Sequence, residues 1–162
     1  MMQNTAMKIV KDIPLSQLVE LLGPYGLEIQ IVADGSAIPG SYWGEEEAGL
    51  IGSRLLLRDD TPVHSALHEA CHYICMDQQR KEAVHTDAGG TDVEENAVCY
   101  LQILLADKMP SYSSEEAMQD MDSWGYSFRN GSAKSWFESD AEDAVEFLLK
   151  RDLHCVKNQQ CE

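Results

Sequence analysis

Apolar side chains recur along this chain with two different spacings, one typical of helices and one typical of strands. From Leu15 to Leu22 they fall on one helical face, and Gly23 followed by Pro24 ends that helix. Residues 27–32 alternate apolar with polar side chains, which is the pattern of a half-buried strand. A second extended stretch covers Leu50 to Arg58. This part of the chain is therefore predicted to form a short helix and two strands.

Two longer helices are predicted next. Thr61 offers an N-cap and Pro62 a first helical residue for a helix that runs from Val63 to Met76. A polar connection from Asp77 to Gly90 follows it, and its paired glycines at the end are typical of a loop. Beyond this loop, apolar residues at helical spacing predict a long, buried helix that continues to Pro110.

The last part of the chain has the pattern of two amphipathic helices. They are predicted over Ser114 to Trp124 and over Ser139 to Leu153, and Ser139 with Glu142 forms a capping box that opens the second. The segment between them, Gly125 to Ser135, is aromatic and polar, so it is predicted to be a loop.

These elements and the composition predict an α+β fold. The chain has 162 residues, of which 44% are hydrophobic and 25% charged, as is usual for a globular protein of one domain. We expect a single, mainly helical domain over residues 1–162, with a small antiparallel sheet before the helix at 63–76. Its core motif region is predicted at 50–110 and its helical C-terminal part at 111–155.

The charge balance narrows the function classes. Lys and Arg number 12 and Asp and Glu 28, so the net charge is −16, which disfavours direct nucleic-acid binding. The apolar runs are too short to span a bilayer, and the N-terminus shows no signal peptide. Five cysteines without a CxxC pair favour reduced thiols, and Cys71 and Cys75, four residues apart, suit core packing better than metal binding. We therefore expect a cytoplasmic protein.

The strongest chemical signal is an HExxH motif at residues 68–72, inside the predicted helix at 63–76. Its histidines, His68 and His72, are four residues apart and project from one helical face, so both can reach one Zn²⁺. Glu69 is placed to accept a proton from an attacking water. The alternative is a helix whose histidines are packed or hydrogen-bonded in the core, but apolar positions seldom hold two histidines and a glutamate.

A zinc site needs a third protein ligand. His64 lies one turn before His68, but three ligands in a row along one helix suit a tetrahedron poorly, so His64 is expected to support the site or to lie on the surface. His85 is a candidate on the loop, and Glu94 and Glu95 are candidates on the following helix.

The facing of the second helix favours Glu94. This residue continues the apolar stripe of Ala97 and Leu101, whereas Glu95 lines up with Cys99 and Gln102 on a more polar side.

Helix capping bears on the same choice. Asp92 can cap the helix with Glu95 as its capping-box partner, which leaves Glu94 for the metal. The alternative pairs Thr91 with Glu94 as the capping box. Glu94 is therefore the predicted ligand, and Glu95 remains the alternative.

A strand, an HExxH helix, a variable loop and a second helix together resemble the ImmA/IrrE family of zinc metallopeptidases. The resemblance covers Leu50 to about Pro110, and the second-helix residues that carry it are Glu94, Ala97, Tyr100, Leu101, Leu104 and Leu105. It implies a zincin-like fold in which His68, His72 and Glu94 bind zinc and Glu69 is the general base. The chain departs from the family at Val98, where Asn or Asp is common, and at Cys71, where glycine is common.

The resulting expectation is a cytoplasmic endopeptidase with one Zn²⁺ that acts on a regulatory protein or peptide. A catalytically inactive zinc-binding or protein-interaction module is the main alternative, and a hydrolase of another bond is a third. The sequence leaves the oxyanion donor open among four candidates: His85, Tyr42, Tyr73 and Tyr126. Four aromatic residues are expected in the core more often than in a cleft: Trp124, Tyr126, Phe128 and Trp136.

Overall fold

The periodicities of the sequence reappear in a computed structural model that describes residues 7–32, 48–75, 92–124, 126, 128 and 131–150. The fold belongs to the α+β class, as predicted. Its α-helices are α1 (Leu15–Leu22), α2 (Val63–Cys75), α3 (Asp92–Ala106), α4 (Ser114–Trp124), α5 (Ala133–Ser139) and α6 (Glu142–Lys150). Its strands are β1 (Glu28–Ile31), β2 (Gly49–Ile51) and β3 (Arg54–Leu57).

The three strands form a mixed sheet with the order β1-β3-β2. Strand β3 pairs parallel with β1, with Glu28 opposite Arg54, and antiparallel with β2, with Leu50 opposite Leu55. The prediction of an antiparallel sheet was therefore wrong for one of its two ladders. The chain places β2 at the far edge and then turns back, so that β3 enters the centre in the same direction as β1.

The stretch from Leu50 to Arg58, predicted as one strand, is a β-hairpin. Strands β2 and β3 are separated by Gly52 and Ser53. Gly52 adopts a φ of 58°, a left-handed conformation that glycine accepts without a steric penalty. A Gly-Ser pair between two extended runs is a hairpin signal, so the reversal was encoded in the sequence.

Helix α2 begins at Val63, as predicted. Contacts within the preceding turn and with the segment around residues 8–10 hold its start. The hydroxyl of Thr61 accepts a hydrogen bond from the backbone N–H of Arg58 at 2.8 Å and so closes the preceding turn. The backbone N–H of Val63 donates to the carbonyl of Lys8, and that of Val10 donates to the carbonyl of Thr61. The segment around residues 8–10 therefore lies across the N-terminal end of α2.

The C-terminal helices follow the prediction only in part. Helix α4 has the predicted bounds, but α5 lies partly inside the segment predicted as a loop. Ser132 caps α5, because its hydroxyl accepts a hydrogen bond from the N–H of Ser135. Ser139 is the last residue of α5, so the capping box predicted for Ser139 and Glu142 is wrong.

The buried apolar side chains form one cluster to which the sheet and the six α-helices of the described residues all contribute. Leu55, Leu56 and Leu57 of β3 are 0–3% exposed, and α2 packs against this strand. Trp136 is buried in the core, as expected, whereas Trp124 at the end of α4 is 37% exposed. No helix in the described residues is long and apolar enough to cross a membrane.

Candidate metal centre

The candidate site lies where α2 packs against α3. His68 and His72 lie one turn apart on α2, and Glu95 approaches them from the first turns of α3. These three residues are the only group of His, Cys, Asp or Glu among the described residues whose ligand atoms lie close enough together to hold a metal ion. Two helices from separate parts of the chain thus supply the site.

The three side chains meet at short and nearly equal distances. The Nε2 atoms of His68 and His72 are 3.2 Å apart. The Glu95 carboxylate places Oε2 at 3.2 Å from His68 Nε2 and Oε1 at 3.3 Å from His72 Nε2. The carboxylate therefore spans the histidine pair, with one oxygen beside each ring.

This donor set suits a zinc ion. Zinc bonds of about 2.0–2.1 Å at the tetrahedral angle place neighbouring ligand atoms about 3.3–3.4 Å apart. The contacts of 3.2–3.3 Å among His68, His72 and Glu95, of which each Glu95 oxygen makes one, are close to this length. Two imidazoles with one carboxylate are a common catalytic zinc set. A tetrahedral ion bound by three protein ligands keeps one position for water or substrate.

Charge within the cluster already favours a proton or a metal cation. Burial opposes protonation of His68, but hydrogen bonding to Glu95 and the charges of Glu95 and Glu69 raise the pKa of His68 above its usual value. Burial also disfavours the ionised form of Glu95, yet its hydrogen bond with His68 and the charges of both histidines lower the pKa of Glu95. The cluster thus consists of the ionised Glu95 carboxylate facing the imidazole rings of His68 and His72.

Gln102 of α3 supports the histidine pair from behind. Its Oε1 lies 2.8 Å from His68 Nδ1, and its Nε2 donates a hydrogen bond to the backbone carbonyl of His64 at 3.0 Å. Gln102 is fully buried. Sequence reasoning placed it on the same helical face as Glu95 but gave it no role.

Glu69 lies beside the cluster and is half-buried on α2. Its charge contributes to the raised pKa of His68, so its carboxylate is within electrostatic range of the ligand side chains. A carboxylate at this position can accept a proton from a water in the site.

The structure brings Glu95, not Glu94, to the histidines. Glu94 does point inward, as its place in the apolar stripe predicted, and is only 3% exposed. The side chain of Glu95 is 43% exposed and lies on the side of α3 that carries Gln102 and faces the histidines of α2. The geometry therefore favours Glu95 over the predicted Glu94, since the face of α3 that meets the histidines is the polar one.

His64 is a buried neighbour of the site rather than a surface residue. It is fully buried, and its Nδ1 lies 3.3 Å from the Tyr126 hydroxyl. Its ring meets those of Trp124 and Tyr126 edge-on. Burial, followed by the charge of His68, lowers the pKa of His64 to about 3. His64 therefore remains neutral, and it supports the site through its backbone carbonyl.

Of the four candidate oxyanion donors, the structure describes Tyr126 and Tyr73. Tyr126 packs its ring edge-on against His68 with centroids 5.3 Å apart, but its hydroxyl contacts His64. Burial raises the pKa of this hydroxyl well above its usual value, so it stays protonated. Tyr73 is half-buried on α2. Tyr42 and His85 lie outside the described residues.

The capping alternatives remain predictions, because Thr91 and the side chain of Asp92 also lie outside the described residues. The two positions that depart from the resembled family are both in the core: Cys71 and Val98 are fully buried. Burial raises the pKa of Cys71, so its thiol is inert at neutral pH. Cys75 is equally buried, in agreement with the expected packing role.

Comparison of the chain with protein-family models, curated proteins and solved structures gives no match. The site itself is therefore the basis for any function assigned to this chain.

Proposed function

We propose that this chain is a zinc-dependent metallopeptidase that cleaves a protein or peptide substrate in the cytoplasm. The observation that carries the proposal is the convergence of His68, His72 and Glu95 at 3.2–3.3 Å, with Glu69 beside them in an HExxH helix. Each of these residue types has a defined task in zinc-assisted hydrolysis.

The site residues would have two kinds of role, metal binding and proton transfer. His68, His72 and Glu95 would hold one Zn²⁺, which when bound lowers the pKa of a coordinated water toward about 7 and polarises a carbonyl. Glu69 would accept the proton of the attacking water and deliver it to the leaving amine. Gln102 would hold the His68 ring from behind.

The sheet provides a place for an extended substrate. Strand β2 lies at the edge of the sheet, and the N–H of Ala48 just before it donates to the hydroxyl of Ser65 on α2 at 3.0 Å. Ser65 is one turn before His68, so a peptide that adds to this edge would run beside the site-bearing helix. The net charge of −16 favours the approach of a substrate segment rich in Lys and Arg.

The decisive variant is Glu69→Gln, which keeps the size of the side chain but removes its ability to accept a proton. Zinc content and the circular dichroism spectrum should match those of the wild type, while chelator-sensitive cleavage of a peptide library falls by about 10²-fold or more. Cleavage products are identified by mass spectrometry. Glu20→Gln, at an exposed position of α1, is the matched control and should cleave like the wild type.

Identical product profiles for the wild type and Glu69→Gln would overturn the peptidase proposal. Zinc bound by both proteins without any cleavage would instead support a zinc-binding interaction module. His68→Ala and His72→Ala serve as the metal-site controls, because each removes a ligand and should abolish tight binding of the single ion.

A further inference from the structure

Gln102 is a fully buried polar side chain that lies between two groups of α2. One of them is the backbone carbonyl of His64 and the other is the His68 ring. No ligand role was expected for an amide at this position, and the proposed hydrolysis does not use it directly. Its two hydrogen bonds nevertheless have a chemical consequence for His68.

The carbonyl of His64 fixes the orientation of the Gln102 amide. A carbonyl oxygen only accepts hydrogen bonds, so the NH₂ group of Gln102 must face it, at the observed 3.0 Å. The amide oxygen then faces His68 Nδ1 at 2.8 Å. Rotating the amide by half a turn would place its oxygen against the His64 carbonyl and leave two buried acceptors in repulsive contact.

An amide oxygen is also only an acceptor, so His68 Nδ1 must carry the hydrogen. The neutral imidazole has a single N–H, and with that hydrogen on Nδ1 the Nε2 lone pair is available. Nε2 is the atom that lies 3.2 Å from both His72 Nε2 and Glu95 Oε2.

We propose that Gln102 is a positioning residue that sets the tautomer and ring orientation of His68 for metal binding. The inference rests on the proposed metal site, but it concerns the metal-free chain and is independent of catalysis. An outer partner of this kind typically changes metal affinity by 10–100-fold.

Two variants separate tautomer control from packing. Gln102→Met keeps the volume of the side chain but removes both hydrogen bonds, together with the hydrogen bond between Gln102 and the Tyr126 hydroxyl. Gln102→Glu restores the acceptor for His68 Nδ1 but, because it is ionised at the alkaline pH of the measurement, not the donor to the His64 carbonyl. A structural role alone predicts similar losses for both variants, whereas tautomer control predicts loss in the first and rescue in the second.

The first measurement is long-range ¹H–¹⁵N NMR of the metal-free protein at alkaline pH, where imidazoles are neutral. His68 is assigned by comparison with His68→Gln. The wild type should show His68 with the hydrogen on Nδ1, Gln102→Met should show a mixture or the other tautomer, and Gln102→Glu should match the wild type. A wild-type His68 that carries its hydrogen on Nε2 would overturn the proposal even if Gln102→Met did not fold.

The second measurement is zinc affinity by chelator competition. We expect the dissociation constant to rise 10–100-fold in Gln102→Met and to stay within about threefold of the wild type in Gln102→Glu. Equal affinities for the wild type and Gln102→Met would also overturn the proposal. Because neither readout needs a substrate, absence of peptidase activity would refute the proposed function without affecting this test.

Discussion

Glu94 and Glu95 show how well the direction of a single side chain can be predicted from the sequence. The inward direction of Glu94 was predicted from its apolar stripe, and its burial confirms that direction. The prediction assumed that a metal ligand lies on the most buried face, whereas the carboxylate beside the histidines lies on the polar face. Glu95 is found at the open edge of the helix pair, where an ion held by it would stay accessible to water or substrate.

The histidines could be predicted with more certainty, because a spacing of four residues on one helix places both rings on one face without any knowledge of the packing. The third ligand depends on how α3 is rotated about its axis against α2. That rotation depends on many core contacts together, so it cannot be predicted from any single residue in the sequence. Gln102 was missed for the same reason.

Substitution of the two glutamates tests this assignment directly. Glu95→Gln removes a charged ligand atom and should weaken zinc binding by at least tenfold, whereas Glu94→Gln at the neighbouring position should leave the dissociation constant close to that of the wild type. Chelator competition measures both. The reverse order of affinities would return the ligand role to Glu94.

The buried His64 makes stability depend on pH. Its pKa is about 3 in the folded protein against about 6.5 when unfolded, so below pH 6.5 the unfolded chain binds a proton that the folded chain excludes. This contribution is fully present above pH 6.5 and is lost as the pH falls toward 3. Relative to His64→Phe, the wild type should lose about 2 kcal/mol between pH 7 and pH 5.

Urea unfolding at each pH, with chelator present, gives this difference. The other ionisable groups are common to both proteins and largely cancel. Parallel pH profiles for the wild type and His64→Phe would show that the folded protein accepts a proton on His64.

At the scale of elements, five of the six helices in the described residues were predicted, including the short α1, and the shortest, α5, was not. Helix α4 has strong amphipathic periodicity over eleven residues and was predicted to the residue. Helix α5 has only seven residues, too few for a reliable period, and it is held by its cap and by Trp136 in the core. The β-hairpin was missed because the apolar residues on both sides of Gly52 resemble one continuous strand.

The cap of α5 gives a test with a built-in control. Ser132→Ala removes the acceptor for the Ser135 N–H and should cost about 1 kcal/mol of unfolding free energy. Ser139→Ala, at the exposed last residue of the same helix, should change it little. Chemical denaturation of both variants measures the two values. Equal losses would mean that the Ser132 hydroxyl does not cap the helix.

For the whole molecule, the predicted elements indicated the class of the fold and the composition indicated the sign of the charge, but neither indicated the strand order. The order β1-β3-β2 depends on where the chain passes between β1 and β2, which lies beyond any local pattern. The charge of −16 belongs to the molecule as a whole and acts on any approaching partner before contact is made.

The central position of β3 governs the order in which the molecule opens. Its backbone is hydrogen-bonded to neighbours on both sides, its three leucines are buried, and α2 packs on it. Amide hydrogens of β3 should therefore exchange with deuterium more slowly than those of β1 and β2, at rates near the limit of global unfolding. Mass spectrometry of peptides from the three strands gives this ranking, and equally fast exchange of β3 would contradict it. Helix α2, which carries His68 and packs on β3, would then lose the support of this strand only in global unfolding.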